Sequence, residues 1–123
     1  MINCVTGRWP LLSYGNYGCF CGLGGEGNPV DKIDRCCKAH DRCYSLLVAN
    51  ETCGRLQTYI TVYSYETSDC HTDKATVSCG TDDDDCASAM CECDRNAVTC
   101  FMEHDDLYNV QFIFYDTWWW PRC

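Results

Sequence analysis

Two stretches of the chain repeat their hydrophobic residues at helical spacing, and one has the β-branched and aromatic composition of a strand. Val30, Ile33, Cys37, His40, Tyr44 and Leu47 recur every three or four residues, which places them on one helical face. Asn28 followed by Pro29 reads as an N-cap and first-turn pair ahead of that helix. A second helix is expected after the acidic run Asp82–Asp85, with Cys86, Met90, Cys93, Ala97 and Phe101 along one face. Between them Tyr59 to Tyr65, YITVYSY, is rich in β-branched and aromatic residues, and Ala75 to Cys79 pairs with it as a short hairpin. The segment YGCFCGLGGEGN, Tyr17 to Asn28, holds five glycines and reads as a loop whose backbone approaches something closely. No period is visible after Cys100, and there is no repeat, linker or sign of a second domain. One domain over residues 1–123 is the expectation.

Cysteine changes that picture most. Fourteen of 123 residues are cysteine, the composition of a disulfide-stapled scaffold made in an oxidising compartment. Secretion is therefore expected, with a signal peptide removed or left out of the sequence, because no charged stretch and apolar segment opens the chain. No apolar run approaches the roughly 20 residues of a membrane-spanning helix. Nine basic against 18 acidic residues give a net charge of −9, which argues against nucleic acid and favours cations as partners.

The middle of the first helix, DRCCKAHDRCY from Asp34 to Tyr44, packs three cysteines, one histidine and two aspartates into eleven residues. Taken alone it allows three readings: a zinc site, a disulfide knot or the seat of a catalytic base. Cys36, His40 and Cys43 stand at i, i+4 and i+7, as zinc ligands on one helical face would. A structural zinc site ordinarily takes two short ligand pairs, however, and the many other cysteines offer these two disulfide partners.

YGCFCGLGGEGNPVDKIDRCCKAHDRCY, Tyr17 to Tyr44, together with CECDRNAVTC, Cys91 to Cys100, resembles the secreted phospholipases A2. The first segment is similar to that family's calcium loop and active-site helix, the second to the helix packed antiparallel against it. The cysteine spacing resembles the subgroup shared by pancreatic and elapid venom enzymes. The resemblance implies a mainly α, disulfide-rich fold with two long antiparallel helices, a calcium loop and a small β-hairpin. It also implies the pairing Cys4–Cys70, Cys19–Cys123, Cys21–Cys37, Cys36–Cys100, Cys43–Cys93, Cys53–Cys86 and Cys79–Cys91. Geometry is consistent with this pairing. Bridges 36–100 and 43–93 share one residue sum, 136, as two antiparallel helices crosslinked twice require. In that register His40 faces residue 96, and Asp94 lies within a turn of it.

The function implied is calcium-dependent hydrolysis of the sn-2 ester of glycerophospholipids. His40 is the implied general base for water, and Asp94 orients it. Tyr44 and Tyr63 match tyrosines that hydrogen-bond the orienting aspartate in relatives. The implied calcium ligands are the carbonyls of Phe20, Gly22 and Gly24 and the carboxylate of Asp41. The family usually has tyrosine where Phe20 stands, a change without consequence for a backbone ligand. The family also begins with an amphipathic helix, whereas only Met1, Ile2 and Asn3 precede Cys4 here. Either the sequence is a fragment of the mature protein, its N-terminal helix truncated, or the chain lacks most of that helix, and the second case weakens activation at interfaces more than the chemistry.

The expected partner is a phospholipid membrane surface or micelle, bound peripherally and zwitterionic in character. Trp118, Trp119 and Trp120, with Trp9, Leu11, Leu12 and Leu23, are the residue types that favour a water–lipid boundary, and the competing reading is that they fill the core. Asp82–Asp85 reads as helix-capping and solubilising rather than as a second calcium site. His71 and His104 read as exposed, and Asn50-Glu51-Thr52 is a glycosylation sequon of low specificity. The alternative function is a toxin or receptor ligand of the same fold, with a protein receptor as partner and hydrolysis secondary.

Overall fold

The computed structural model describes every residue except Leu23, so the interfacial expectation for that leucine lies outside the described residues. Two short helices, α1 (Ile2–Thr6) and α2 (Pro10–Tyr14), lead into the glycine-rich loop. The 18-residue α3 (Lys32–Ala49) follows, then a single turn α4 (Gln57–Ile60). Strands β1 (Tyr65–Ser68) and β2 (Thr76–Cys79) form an antiparallel hairpin in the register Tyr65 with Cys79 and Ser68 with Thr76. The 20-residue α5 (Asp85–His104) returns along α3, and two 3-10 turns, Asp105–Leu107 and Val110–Phe112, open the tail.

All fourteen cysteines are paired, in the seven bridges that the resemblance implies. The zinc reading is thereby excluded, since Cys36 and Cys43 are consumed in bridges to Cys100 and Cys93. These two bridges hold α3 and α5 antiparallel, with Cα separations of 5.7 and 5.8 Å. Bridges that close long loops each contribute about 2–4 kcal/mol. They supplement a small core in two clusters. One gathers Tyr14, Tyr17, Phe20, Ile33, Ala97 and Phe101, with Tyr14 stacked on Phe101 at 4.4 Å. The other gathers Cys53, Cys86 and Met90, flanked by Tyr44, Leu47 and Tyr63.

Two element boundaries differ from the sequence expectation. Helix α3 starts at Lys32 and not after Asn28, because extended Asp31 is its N-cap and accepts the Asp34 N–H at 2.8 Å. The hairpin begins at Tyr65, where the YITVYSY run ends. Tyr59 and Ile60 lie instead in α4, closed by the Thr61 N–H on the Gln57 carbonyl at 3.0 Å. Residues 61–64 are unpaired with β2, and Ser64 is taken up by the Asp83 carboxylate at 2.7 Å and by the Gly80 amide at 2.8 Å. The tail, without a period, is ordered by long-range contacts: Phe112 accepts from the Gly18 amide at 2.9 Å, and the Phe114 amide donates to Asn16 at 2.7 Å.

The acidic run has structural employment: Asp84 caps α5 through the Ala87 amide at 2.8 Å and Asp83 holds Ser64. No group of three or more His, Cys, Asp or Glu side chains able to hold a metal occurs among the described residues. His71 is exposed beside Asn3, whereas His104 is half-buried at the end of α5. The tryptophans are not core residues: Trp118, Trp119 and Trp120 are 89, 66 and 62% exposed.

Candidate active site

The register of α3 and α5 determines what faces what. His40 sits midway between Cys36 and Cys43 on α3, and Asp94 follows Cys93 on α5, so two staples position both side chains. Nε2 of His40 lies 2.5 Å from Oδ1 of Asp94. The Tyr44 hydroxyl donates to the same oxygen at 2.9 Å, and the Tyr63 hydroxyl donates to Oδ2. Tyr44 lies one turn after His40, with ring centroids 4.6 Å apart. Tyr63 arrives from the extended segment before β1, so its place depends on long-range packing rather than helical spacing.

These contacts shift the titrations. Burial opposes the His40 imidazolium, but the carboxylates of Asp41 and Asp94 outweigh it and raise the pKa to about 9. Burial also opposes ionised Asp94, and its bonds to His40, Tyr63 and Tyr44 hold it below the usual carboxylate range. Tyr44 and Tyr63 are pushed up, first by burial and then by the negative Asp94 they donate to. With Asp94 accepting at Nε2, the neutral ring carries its proton there and leaves Nδ1 as the basic nitrogen. Nδ1 points toward Asp41, whose Oδ1 is 4.0 Å away.

Asp41 in turn faces the glycine-rich loop. A Cβ at Gly25 would stand 3.0 Å from Asp41 Oδ2 and 2.8 Å from the Phe20 Cα, so the loop passes here at a distance only glycine permits. The carbonyls of Phe20, Gly22 and Gly24 accept no hydrogen bond from a described residue. Unengaged carbonyls beside a carboxylate are an oxygen donor set of the kind calcium takes. His40, Asp41, Asp94, Tyr44 and Tyr63 line one open cavity of about 1340 Å³ with Phe20, Gly22 and Gly24. Its lining also includes apolar Ile2, Leu11, Tyr14, Ala97, Val98 and Phe101, which form an apolar wall.

A histidine ordered by a carboxylate, beside an oxygen-rich loop and an apolar wall, is the equipment for activating water on an amphiphilic ester. Comparison with known proteins identifies the family. The family model described as phospholipase A2 matches residues 1–112. The chain belongs to the phospholipase A2 family. Acidic phospholipase A2 KBf-grIB of Bungarus fasciatus is 46% identical over 106 residues, which is 84% of this chain and 71% of that protein. Acidic phospholipase A2 MVL-PLA2 of Macrovipera lebetina transmediterranea is 46% identical over 115 residues, covering 94% of this chain and 75% of the relative. A phospholipase A2 of Ovis aries is 42% identical over 106 residues, covering 84% and 82%.

In this phospholipase A2 all eight residues singled out from sequence meet at one cavity. One buried neighbour of the site escaped that reading. Asp34 is completely buried, and its carboxylate accepts from the backbone N–H groups of Cys19 and Phe20, both at 2.8 Å, and of Val30 at 2.9 Å. The available signal was its place in the first turn of α3, three residues after the N-cap and next to a glycine loop whose amides need acceptors.

Proposed function

We propose that residues 1–123 form one secreted catalytic domain that hydrolyses the sn-2 ester of glycerophospholipids in a calcium-dependent reaction, with His40 as general base. The observation that carries this reading is the two-ended placement of His40: Nε2 bonded to Asp94, Nδ1 turned toward Asp41 and the glycine-rich loop.

The chemistry follows from that placement. Water beside Nδ1 gives its proton to His40 as its oxygen attacks the sn-2 carbonyl carbon. Asp94 holds the ring in the productive tautomer and stabilises the imidazolium, and Tyr44 and Tyr63 hold Asp94. The tetrahedral intermediate collapses with cleavage of the bond to the glycerol oxygen. His40 returns its proton to that oxygen, so that a fatty acid and a lysophospholipid leave. Calcium would be held by the carbonyls of Phe20, Gly22 and Gly24 and the Asp41 carboxylate, and when bound supplies a positive charge for the substrate phosphate and the developing oxyanion. The apolar wall with Leu11, Tyr14 and Phe101 takes the acyl chain.

The partner surface is zwitterionic phospholipid. Apolar Leu11 and Tyr59 stand exposed at the cavity, and a chain of net charge −9 gains nothing from anionic lipid. The test is fatty-acid release from phosphatidylcholine vesicles with calcium and with chelator. Calcium-dependent release that His40→Gln abolishes is the expected result, and release unaffected by chelator or by that substitution overturns the reading.

A further inference from the structure

Asp34 is the one charged side chain among the described residues that is wholly buried, and the chemistry proposed above does not use it. Its three accepted hydrogen bonds are distributed across the loop. Cys19 and Phe20 stand where the glycine-rich segment enters, and Val30 stands where it leaves for α3. Oδ2 takes the amides of Cys19 and Val30, and Oδ1 takes the amide of Phe20. One carboxylate thus closes the loop at its neck. Its own backbone is fixed by Asp31, whose Oδ1 accepts the Asp34 N–H at 2.8 Å. The other oxygen of Asp31 accepts from the buried Tyr17 hydroxyl at 2.5 Å, and that hydroxyl accepts the Asn109 amide at 3.1 Å. Gly18 completes the fit: its φ is +60°, and a Cβ there would fall 2.4 Å from Asp34 Cγ.

We propose that Asp34 is a positioning residue for the metal loop: by gripping the amides of Cys19, Phe20 and Val30 it aims the Phe20 carbonyl at the Asp41 carboxylate before any cation arrives. The N–H that Asp34 holds and the carbonyl offered to the cation belong to one residue, Phe20, so only its φ and ψ separate the gripped peptide plane from the carbonyl. Pre-ordering the loop removes an ordering cost from cation binding, which otherwise falls on the metal affinity. An anionic acceptor matches three converging N–H donors, whereas an amide would turn its own NH2 toward at least one of them. The inference rests on the calcium reading and concerns how the site is held in shape.

The test is calcium binding by isothermal titration calorimetry on the full chain, wild type against Asp34→Asn, with hydrogen exchange followed in calcium-free wild type. The expected results are calcium affinity about 10- to 100-fold weaker in the variant, as for other residues that orient metal ligands, and kcat recovering at saturating calcium. In calcium-free wild type the amides of Cys19, Phe20 and Val30 should exchange slowly, like those of α3. A folded variant with wild-type affinity overturns the proposal. So does fast exchange of those three amides in wild type, a result that decides the matter even if the variant fails to fold. A wild-type chain that binds no calcium sinks the calcium reading itself, which separates that failure from this one.

Discussion

His40 and Asp94 meet at 2.5 Å although 54 residues separate them in the chain, because the bridges Cys36–Cys100 and Cys43–Cys93 fix the helices that carry them. The alignment of this pair and the covalent stapling of its helices are therefore one geometric fact. His40→Gln removes the base while leaving both helices stapled. A loss in kcat of at least about 10²- to 10⁴-fold is expected, with near-ultraviolet circular dichroism unchanged. Steady-state release of fatty acid is the measurement, and activity within a few-fold of wild type would exclude His40 as base.

Removing a staple should loosen the pair without touching it. The Cys43–Cys93 bridge spans 50 residues, for which loop entropy gives a stabilisation of about 4 kcal/mol. The double substitution of Cys43 and Cys93 by alanine should lower the denaturation midpoint accordingly. It should also reduce kcat more than KM, since the register of α5 against α3 places Asp94. Chemical denaturation and kinetics on the same sample test both parts.

Asp94 accepts from Tyr44 on Oδ1 and from Tyr63 on Oδ2, while His40 also lies on Oδ1. Tyr63→Phe leaves Oδ2 of a largely buried anion without that donor, at an expected cost of about 1.5–3 kcal/mol for a hydrogen bond to a charged group. Tyr44→Phe should cost less, because His40 still engages Oδ1. The double variant should lose more than the sum, since the tyrosines share one acceptor. Unfolding curves of the three variants provide the comparison.

The pH response of folding has a definite sign. His40 titrates near 9 in the folded chain against an ordinary value of 6.5, so its charged contacts stabilise the fold fully below about 6.5. That contribution is lost as pH rises through about 9. Asp94 acts oppositely: held below its ordinary value of 3.8, it stabilises above that value and its contribution disappears on further acidification. Thermal midpoints of the calcium-free protein should therefore decline between pH 6.5 and 9 in wild type but not in His40→Gln. Histidine NMR should find the raised titration without calcium and a lower one with it, because a cation on Asp41 cancels charge now facing Nδ1.

The two long helices were readable because their apolar residues repeat on one face, and the nearness of Asp94 to His40 followed from the residue sum of two bridges that the family resemblance implies. Tyr63 was accessible only through family resemblance, since it reaches Asp94 from an extended segment whose path depends on Asp83 holding Ser64. The hairpin was displaced because β-branched and aromatic composition does not distinguish a paired strand from the turn at Gln57–Ile60. Asp34 escaped because its value lies in partners 14 and 15 residues earlier, in a loop that has no period to read.

Trp118, Trp119 and Trp120 form a run of exposed aromatic residues and support the lipid reading independently of catalysis. Thr117 and Trp120 close a tight turn through their backbones at 3.2 and 3.3 Å, and Trp118 packs edge-on against Trp119 at 5.6 Å. Arg122 lies over the rings of Trp120 and Tyr115, while the Asp116 carboxylate accepts its backbone N–H at 2.7 Å. The turn is anchored by Cys123 to Cys19, so these indoles are held out on a fixed frame. Aromatic rings presented in this way suit a zwitterionic headgroup region. Replacing Trp118, Trp119 and Trp120 together by alanine should weaken binding to phosphatidylcholine vesicles by roughly 10-fold or more. Hydrolysis of a dispersed, non-aggregated short-chain substrate should be unchanged, because none of the three lines the cavity around His40. Sedimentation of the variant with vesicles of rising anionic content provides the control: binding that increases with anionic lipid and ignores the tryptophans would remove them from the interface.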